Sequence, residues 1–263
     1  MKKILFVFIA LAMFVAVASV KADMYGINIV DDKNGNVNFY QIFNNIFGLT
    51  GTAAYRASND IFNEFGVDPT SSWYTLGETE VLKVVRNESG FTAKLWAEVP
   101  GKEDSLLLDL PKVVAQDTWL STVAETDFAQ NSPIDFRLDV LRTNTNSPNV
   151  SWSLTSGYND DGRVYMLGLD ITDFYNAHLG LEGSDRIDSV IMFLWEDWLL
   201  GQKVVGWGNI ETDWDYADVI YIMTNVSTEE PNKIYSTPEP ATLLVLGFGA
   251  IGAGFAARRR MKG

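Results

Sequence analysis

The stretches VIMFL at residues 190–194 and VIYIM at residues 219–223 are continuous apolar runs, and they indicate the fold class. A strand with apolar residues at every position is buried on both faces. We therefore expect the two runs to be central strands of a sheet. If they pair as a hairpin, residues 201–212 form its long loop.

Other segments alternate between apolar and polar residues with a period of two, which is typical of strands with one buried face. Residues 91–99 and 134–140 show this alternation. Residues 163–171, which follow a predicted turn at 159–162, are also predicted to form a strand. Short strands separated by polar turns, with no long helix after residue 70, predict a mainly β protein. Within that class the pattern favours a jelly-roll-like β-sandwich.

The residues before position 73 have a helical period instead. Apolar side chains recur at helical spacing over residues 38–47, between Asn38 as a cap and Gly48 as a stop. Residues 59–65 show a shorter pattern of the same kind. The sandwich is therefore expected to carry short N-terminal helices.

The composition excludes several classes of protein. The 263 residues include no cysteine and a single histidine, His178, which rules out Cys-based zinc sites, thiol nucleophiles and sites with several histidine ligands. Seven of the 20 basic residues lie at the two ends, and all 34 acidic residues lie between Asp23 and Glu239. The central part therefore has 34 acidic and 13 basic residues, a formal charge of −21. Because such a surface repels phosphate backbones, we expect no nucleic-acid partner.

The N-terminal 22 residues have the features of a secretory signal peptide. A lysine pair at residues 2–3 precedes an apolar run at residues 4–17. Cleavage after Ala22 makes Asp23 the new N-terminus, and cleavage after Ala18 is the alternative. We expect the protein to be exported.

The C-terminal end predicts a transmembrane helix. Residues 241–257 carry no charge, and as a helix they span about 25 Å, just enough for a thin bilayer. Arg258, Arg259 and Arg260 follow at once. The positive-inside rule places these arginines in the cytoplasm and the acidic domain outside.

Immediately before this helix, Pro238 and Pro240 flank Glu239 and make the chain stiff and extended. This motif, the short apolar helix and the basic end together resemble the PEP-CTERM sorting signal, over about the last 28 residues. The resemblance implies an exosortase, a membrane transpeptidase that removes the tail, as the processing partner. It also implies an inner-membrane intermediate and delivery to the cell surface or extracellular matrix of a Gram-negative bacterium that makes exopolysaccharide.

The clearest candidate for chemistry is a group of acidic residues near the two apolar runs. Glu196 and Asp197 follow the first run, and Asp213, Asp215 and Asp218 precede the second. A hairpin brings these carboxylates together, where they repel one another unless a cation neutralises them. Ca²⁺ takes about six to eight oxygen ligands in flexible geometry. The five residues therefore predict a Ca²⁺ site, and a solvated acidic turn is the alternative.

A second resemblance involves the same residues. The order Trp-Glu-Asp at 195–197, a loop, Asp-Trp-Asp-Tyr-Ala-Asp at 213–218 and a hydrophobic strand resembles an uncharacterised domain of secreted bacterial surface proteins. The segment NFYQIFN at 38–44 resembles the N-terminal helix of PEP-CTERM members of that group. In this chain the loop at residues 199–209 is longer and less glycine-rich than we expect for that domain, and Ala217 stands where Asn is usual. Since that group has no established reaction, the resemblance implies a surface domain without a mechanism.

Three other features carry less weight. The acidic segments at residues 31–36 and 159–162 are predicted to be plain turns, although each has some carboxylates of a calcium loop. His178 has no clear partner in the sequence, and we expect it to be structural or exposed.

The sequence favours a non-catalytic protein of the cell surface or extracellular matrix, stabilised by Ca²⁺ and associated with exopolysaccharide or biofilm. The alternative is a carbohydrate-binding module or a small glycosidase, because the chain has eight Trp and ten Tyr. In that alternative, a carboxylate pair such as Glu196 with Asp213 does the acid/base work. Adhesion to another protein through the acidic surface is a third hypothesis.

These features divide the chain into six parts. They are the signal peptide (1–22), an N-terminal segment with two short helices (23–72), the β-sandwich domain (73–228), a linker with the Pro-Glu-Pro motif (229–240), the transmembrane sorting helix (241–257) and a basic cytoplasmic tail (258–263).

Overall fold

The computed structural model describes the central part of the chain. The described residues are 27, 29–31, 37–77, 79–87, 92–110, 114–126, 128–144, 147–197, 203–204, 208–209 and 214–228. They all belong to one unit, which spans Met1–Glu229. The predicted signal peptide, the sorting motif with its helix and arginines, and Asp213 lie outside the described residues.

The described part of the chain contains three short α-helices, and two of them match the prediction. They are α1 (Phe39–Ile46), α2 (Ser58–Phe65) and α3 (Thr172–Leu179). The backbone N–H of Asn38 donates to Oε1 of Gln41 at 2.9 Å, which is half of a capping box at the start of α1. Helix α3 was not predicted as an element, because its eight residues bury only Tyr175 and Asn176 and leave a weak pattern. Two one-turn 3₁₀ helices span Gly51–Ala53 and Gly183–Asp185.

A six-stranded antiparallel sheet is built around one long strand, β6. Its strands are β1 (Trp73–Thr75), β3 (Thr92–Glu98), β4 (Ser105–Leu110), β6 (Pro133–Asn144), β7 (Ser147–Thr155) and β13 (Val226–Ser227). The order is β13-β1-β6-β3-β4, and β7 also pairs with β6. Strands β3 and β6 confirm that the alternating segments at residues 91–99 and 134–140 form strands.

A five-stranded antiparallel sheet contains both apolar runs at its centre. Its strands are β2 (Thr79–Asn87), β5 (Val114–Thr126), β8 (Met166–Asp170), β9 (Val190–Trp195) and β12 (Val219–Thr224). The order is β5-β2-β12-β9-β8, so the two runs are neighbours, as predicted. Between them, β10 (Lys203–Val204) and β11 (Gly208–Asn209) form a separate two-stranded hairpin. Strand β8 is shorter than the predicted 163–171, because Tyr158 and Val164 pair across the preceding turn.

The period of two divides each apolar run between two hydrophobic clusters. In β9, Ile191, Phe193 and Trp195 contribute to a cluster shared with the six-stranded sheet, which we call the inter-sheet cluster. The alternate residues Val190, Met192 and Leu194 contribute to the helix-side cluster, which contains apolar residues of all three helices. The strands β9 and β12 are therefore buried on both faces, by the other sheet and by the helices. The mainly β class is confirmed, whereas the jelly-roll-like arrangement stays a prediction.

Candidate metal centre

The register of β9 and β12 sets the position of the acidic residues. Trp195 pairs with Val219, so Glu196 and Asp218 leave the same end of the hairpin. The backbone N–H of Asp197 donates to Oδ2 of Asp218 at 3.0 Å, which extends the pairing beyond the last strand residues. On the other side of β9, the N–H of Glu196 donates to the carbonyl oxygen of Tyr165 at 2.9 Å. Residue 196 is thereby fixed between β8 and β12.

The segment before β12 has an unusual backbone. Trp214 and Tyr216 adopt left-handed φ angles of 56° and 52°, which bulky residues rarely do. Asp215 lies between them, and its Oδ1 accepts a 2.8 Å hydrogen bond from the N–H of Ala217, as in an Asx turn. The carbonyl oxygen of Trp214 accepts from the N–H of Val30 at 3.0 Å. Residues in such strained conformations cost about 1–3 kcal/mol each, and they concentrate at functional sites.

Three carboxylates meet at this end of the sheet. Glu196, Asp215 and Asp218 are buried, and each offers one carboxylate oxygen within 4.8 Å of the other two. At an effective dielectric constant of about 20, two carboxylate charges at that separation repel by on the order of 3 kcal/mol. A divalent cation bound to oxygens at about 2.3–2.6 Å can bridge pairs up to roughly 5 Å apart, so the spacing suits calcium.

A buried aromatic residue, Tyr216, lies beside the group of carboxylates. Tyr216 donates its hydroxyl proton to the carbonyl oxygen of Val164 at 2.9 Å. Burial raises the pKa of Tyr216 above its ordinary value, and the negative charge of Glu196 adds to that rise. The rings of Tyr165 and Trp214 lie 5.5 Å apart, and the exposed guanidinium of Arg163 lies 5.4 Å from the Trp214 ring centroid. Aromatic rings and the guanidinium of Arg163 therefore pack around residues 214–216.

The structure brings three of the five predicted ligands together. Glu196, Asp215 and Asp218 form the group, as the hairpin hypothesis requires. Asp197 is buried, but in the described part of the chain its carboxylate is not a member of that group, and its backbone N–H binds Asp218 instead. Asp213 lies outside the described residues.

Sequence reasoning did not identify the roles of Tyr165 and Tyr216. The carbonyl group of Tyr165 accepts a hydrogen bond from the backbone N–H of Glu196, and the negative charge of Glu196 helps to raise the pKa of the buried Tyr216. The one available signal was the position of Tyr216 between Asp215 and Asp218, since an aromatic residue between buried carboxylates indicates an enclosed site.

The other acidic segments have local roles. Oδ1 and Oδ2 of Asp31 accept hydrogen bonds from the Ser58 hydroxyl and backbone N–H at 2.5 and 3.1 Å, at the start of α2. The remainder of the predicted turn, 32–36, lies outside the described residues. Residues 159–162 form the predicted hairpin turn, with the N–H of Gly162 donating to the carbonyl oxygen of Asn159 at 2.8 Å. His178 is exposed and its ring contacts Phe47.

The fold and these contacts define a mainly antiparallel β domain with a buried carboxylate cluster. The chain also carries the PEP-CTERM protein-sorting motif at residues 236–260, which confirms the prediction made from its C-terminal end. The motif implies export through the membrane, processing by an exosortase and sorting to the cell surface. No protein of curated function and no solved structure matches the chain. The second resemblance, to an acidic-motif surface domain, therefore stays a prediction.

Helices that could cross a membrane were sought only among the described residues, and none of those helices is long and apolar enough. The predicted transmembrane segment, 241–257, lies outside them.

Proposed function

We propose that this protein is a non-catalytic component of the cell surface or extracellular matrix of a Gram-negative bacterium, and that Ca²⁺ stabilises its β domain. The observation that carries the calcium proposal is the proximity of three buried carboxylate oxygens, from Glu196, Asp215 and Asp218, within 4.8 Å of one another. Asp197 and Asp213 are the residues proposed to complete the oxygen ligands.

Calcium fits this group better than the other common cations. Zn²⁺ sites in proteins usually include Cys or His ligands, and the chain has no cysteine and a single histidine, on α3. Mg²⁺ demands near-ideal octahedral geometry and keeps several waters, whereas Ca²⁺ accepts irregular sets of carboxylates. The two strained residues on either side of Asp215 support a loop whose conformation is stabilised by a bound ion.

Thermal unfolding of the purified full chain tests the calcium proposal. A ligand at about 100 times its Kd stabilises the native state by about 2.7 kcal/mol. For a domain of this size we expect Ca²⁺ to raise Tm by roughly 5–10 °C over the value in EDTA. Mg²⁺ at the same concentration should give a smaller shift. Equal Tm values in Ca²⁺ and EDTA would remove calcium from the proposal and leave the sorting argument unchanged.

The association with exopolysaccharide or biofilm is proposed from the sorting motif and its expected setting. Fractionation of the producing cells tests it. The mature protein should accompany the polysaccharide fraction and be released when that polysaccharide is digested. Recovery of the mature protein wholly in the soluble medium contradicts this association.

The glycosidase alternative stays a prediction, because one member of its acid/base pair, Asp213, lies outside the described residues. Trp73, Trp152 and Trp195 are buried in the inter-sheet cluster, so these three tryptophans are core residues and leave fewer aromatic rings for sugar contacts. Hydrolysis of polysaccharide that is abolished in Glu196→Gln would favour the enzyme.

A further inference from the structure

The outer face of the six-stranded sheet has a mixed polar and apolar character. Alternate residues of β3 and β6, such as Leu95 and Leu138, point into the inter-sheet cluster. The residues between them therefore lie on the opposite face of the sheet. Cross-strand pairing arranges that face in rows, and one row runs across four strands through Leu106, Trp96, Arg137 and Thr155.

Apolar side chains are exposed on this face. Leu106 is 43% exposed and is the direct cross-strand partner of Trp96, which is partly exposed. Leu141, at 38% exposure, lies two rows away opposite Thr92. Of the five large apolar residues that are exposed in the described part of the chain, two are therefore on this face.

A network of charges surrounds the tryptophan. The guanidinium of Arg137 lies 5.6 Å from the centre of the Trp96 ring. Arg137 forms ion pairs with Glu98, with Asp104 at 3.0 Å and with Asp139 at 3.1 Å. Only 24% of the Arg137 side chain is exposed, so the network is partly buried in the face. The ion pairs hold the guanidinium of Arg137 beside the Trp96 ring, and Trp96 stays partly exposed next to its cross-strand partner Leu106.

Carboxylates outnumber basic groups on this face. In the described strands, the basic side chains of this face are Lys94 and Arg137. The acidic side chains of the same strands are Glu98, Asp109, Asp135 and Asp139. Asp104 adds a fifth carboxylate from the adjoining loop. Ionised carboxylates only accept hydrogen bonds, and the O–H···O⁻ bonds that they form are short and strong. A complementary ligand therefore carries many hydroxyl donors and no negative charge.

We propose that this face binds a neutral polysaccharide, with Trp96 and Leu106 against the C–H surfaces of the sugar rings and Asp139 and Glu98 accepting from their hydroxyl groups. Sugar rings present both kinds of surface, so they match apolar side chains set among carboxylates. The four strands span about 14 Å between their outer axes, which accommodates a few linked sugars better than a single small molecule. The excess of carboxylates disfavours anionic polysaccharides and nucleic acid.

This inference deepens the proposed association with exopolysaccharide and is independent of calcium. None of its residues belongs to the group of Glu196, Asp215 and Asp218. Binding is therefore expected both in Ca²⁺ and in EDTA, as long as the temperature is kept below Tm. If Ca²⁺ has no effect on Tm, the proposal of a polysaccharide site is unaffected.

Co-sedimentation of the full chain, purified in mild detergent, with insoluble cellulose, curdlan and chitin tests the site. We expect binding to at least one of these neutral polysaccharides and a loss of affinity of about tenfold or more in Trp96→Ala. Tyr158→Ala is the matched control, because Tyr158 is 67% exposed and lies in the turn before β8. The control should bind as the unmodified chain does.

A second variant keeps the test decisive if Trp96→Ala does not fold. Leu106→Glu replaces an exposed apolar side chain of the same row with a charge and should also weaken binding severalfold. Sedimentation with none of the three polysaccharides, or equal sedimentation of the unmodified chain and both variants, overturns the proposal.

Discussion

The backbone N–H of Asp197 donates a 3.0 Å hydrogen bond to Oδ2 of Asp218, across the gap between the end of β9 and the start of β12. The bond joins the two acidic motifs that are 21 residues apart in the chain. It holds one carboxylate of the candidate metal centre in place.

Substitution of Asp218 by Asn separates the metal role from the structural role. The amide keeps an oxygen that can accept from Asp197, but it removes one negative charge from the group. We expect Asp218→Asn to lose most of the Ca²⁺-dependent rise in Tm. In EDTA its Tm should equal or exceed that of the unmodified chain, because the repulsion among the carboxylates is weaker.

The control for this prediction is Asp135→Asn, which neutralises an exposed carboxylate on the six-stranded sheet. It should keep the full calcium shift. Calorimetric unfolding in Ca²⁺ and in EDTA measures both variants, and an undiminished shift in Asp218→Asn contradicts the assignment of this ligand.

Gly168 in β8 is predicted to tolerate no side chain. A Cβ atom at this position would lie 2.5 Å from Cη2 of Trp73 and 3.0 Å from a methyl group of Val67. Both neighbours are held in packed surroundings, so Gly168→Ala should destabilise the domain by about 1–3 kcal/mol. Denaturant unfolding measures the cost.

A double-mutant cycle identifies the cause of that cost. Trp73→Phe removes the ring atoms nearest to the added methyl group. In that background Gly168→Ala should therefore cost less than it does alone. An equal cost in both backgrounds shows that the clash with Trp73 is not the reason.

Alkaline pH is predicted to destabilise the domain through two buried tyrosines. Burial raises the pKa of Tyr216 and of Tyr221 above the ordinary value of about 10. Above that pH the unfolded chain releases protons that the folded chain retains, so the stability present below pH 10 is lost as the pH rises. Each tyrosine contributes a slope of about 1.4 kcal/mol per pH unit.

Denaturant unfolding at a series of pH values from 9 upwards measures this slope. Tyr216→Phe should lower this slope by the contribution of one tyrosine. The ultraviolet absorbance of tyrosinate from the buried rings should appear together with unfolding. A slope unchanged by Tyr216→Phe counts against the buried state of its hydroxyl.

Processing of the C-terminal tail is predicted to depend on the short motif before the apolar segment. Replacing Pro238, Glu239 and Pro240 by alanine should leave the chain unprocessed, since the motif at residues 236–260 implies an exosortase as the processing enzyme. Immunoblots of membrane and surface fractions measure the outcome. Asn232→Ala, in the linker, is the control and should be processed normally, whereas normal processing of the triple variant rejects the prediction.

Local patterns of the sequence determined a large part of this protein. The apolar runs at 190–194 and 219–223 predicted paired central strands, because only a sheet covered on both faces buries every position of a strand. The spacing of apolar residues predicted α1 and α2. The order of motif, apolar segment and arginines at the C-terminal end identified the sorting motif, since that signal is contained in one continuous stretch.

Only the tertiary structure decided how distant residues meet. The left-handed conformations of Trp214 and Tyr216, the position of Glu196 beside Tyr165, and the row through Trp96 and Arg137 all depend on strand register. Register is set by the packing of both sheets and the helices around two clusters, and packing between distant segments leaves no periodic trace in the sequence. The sequence thus determined which residues are acidic or apolar and which belong to the sorting motif. The fold decided which of them lie within reach of one ion or one ligand.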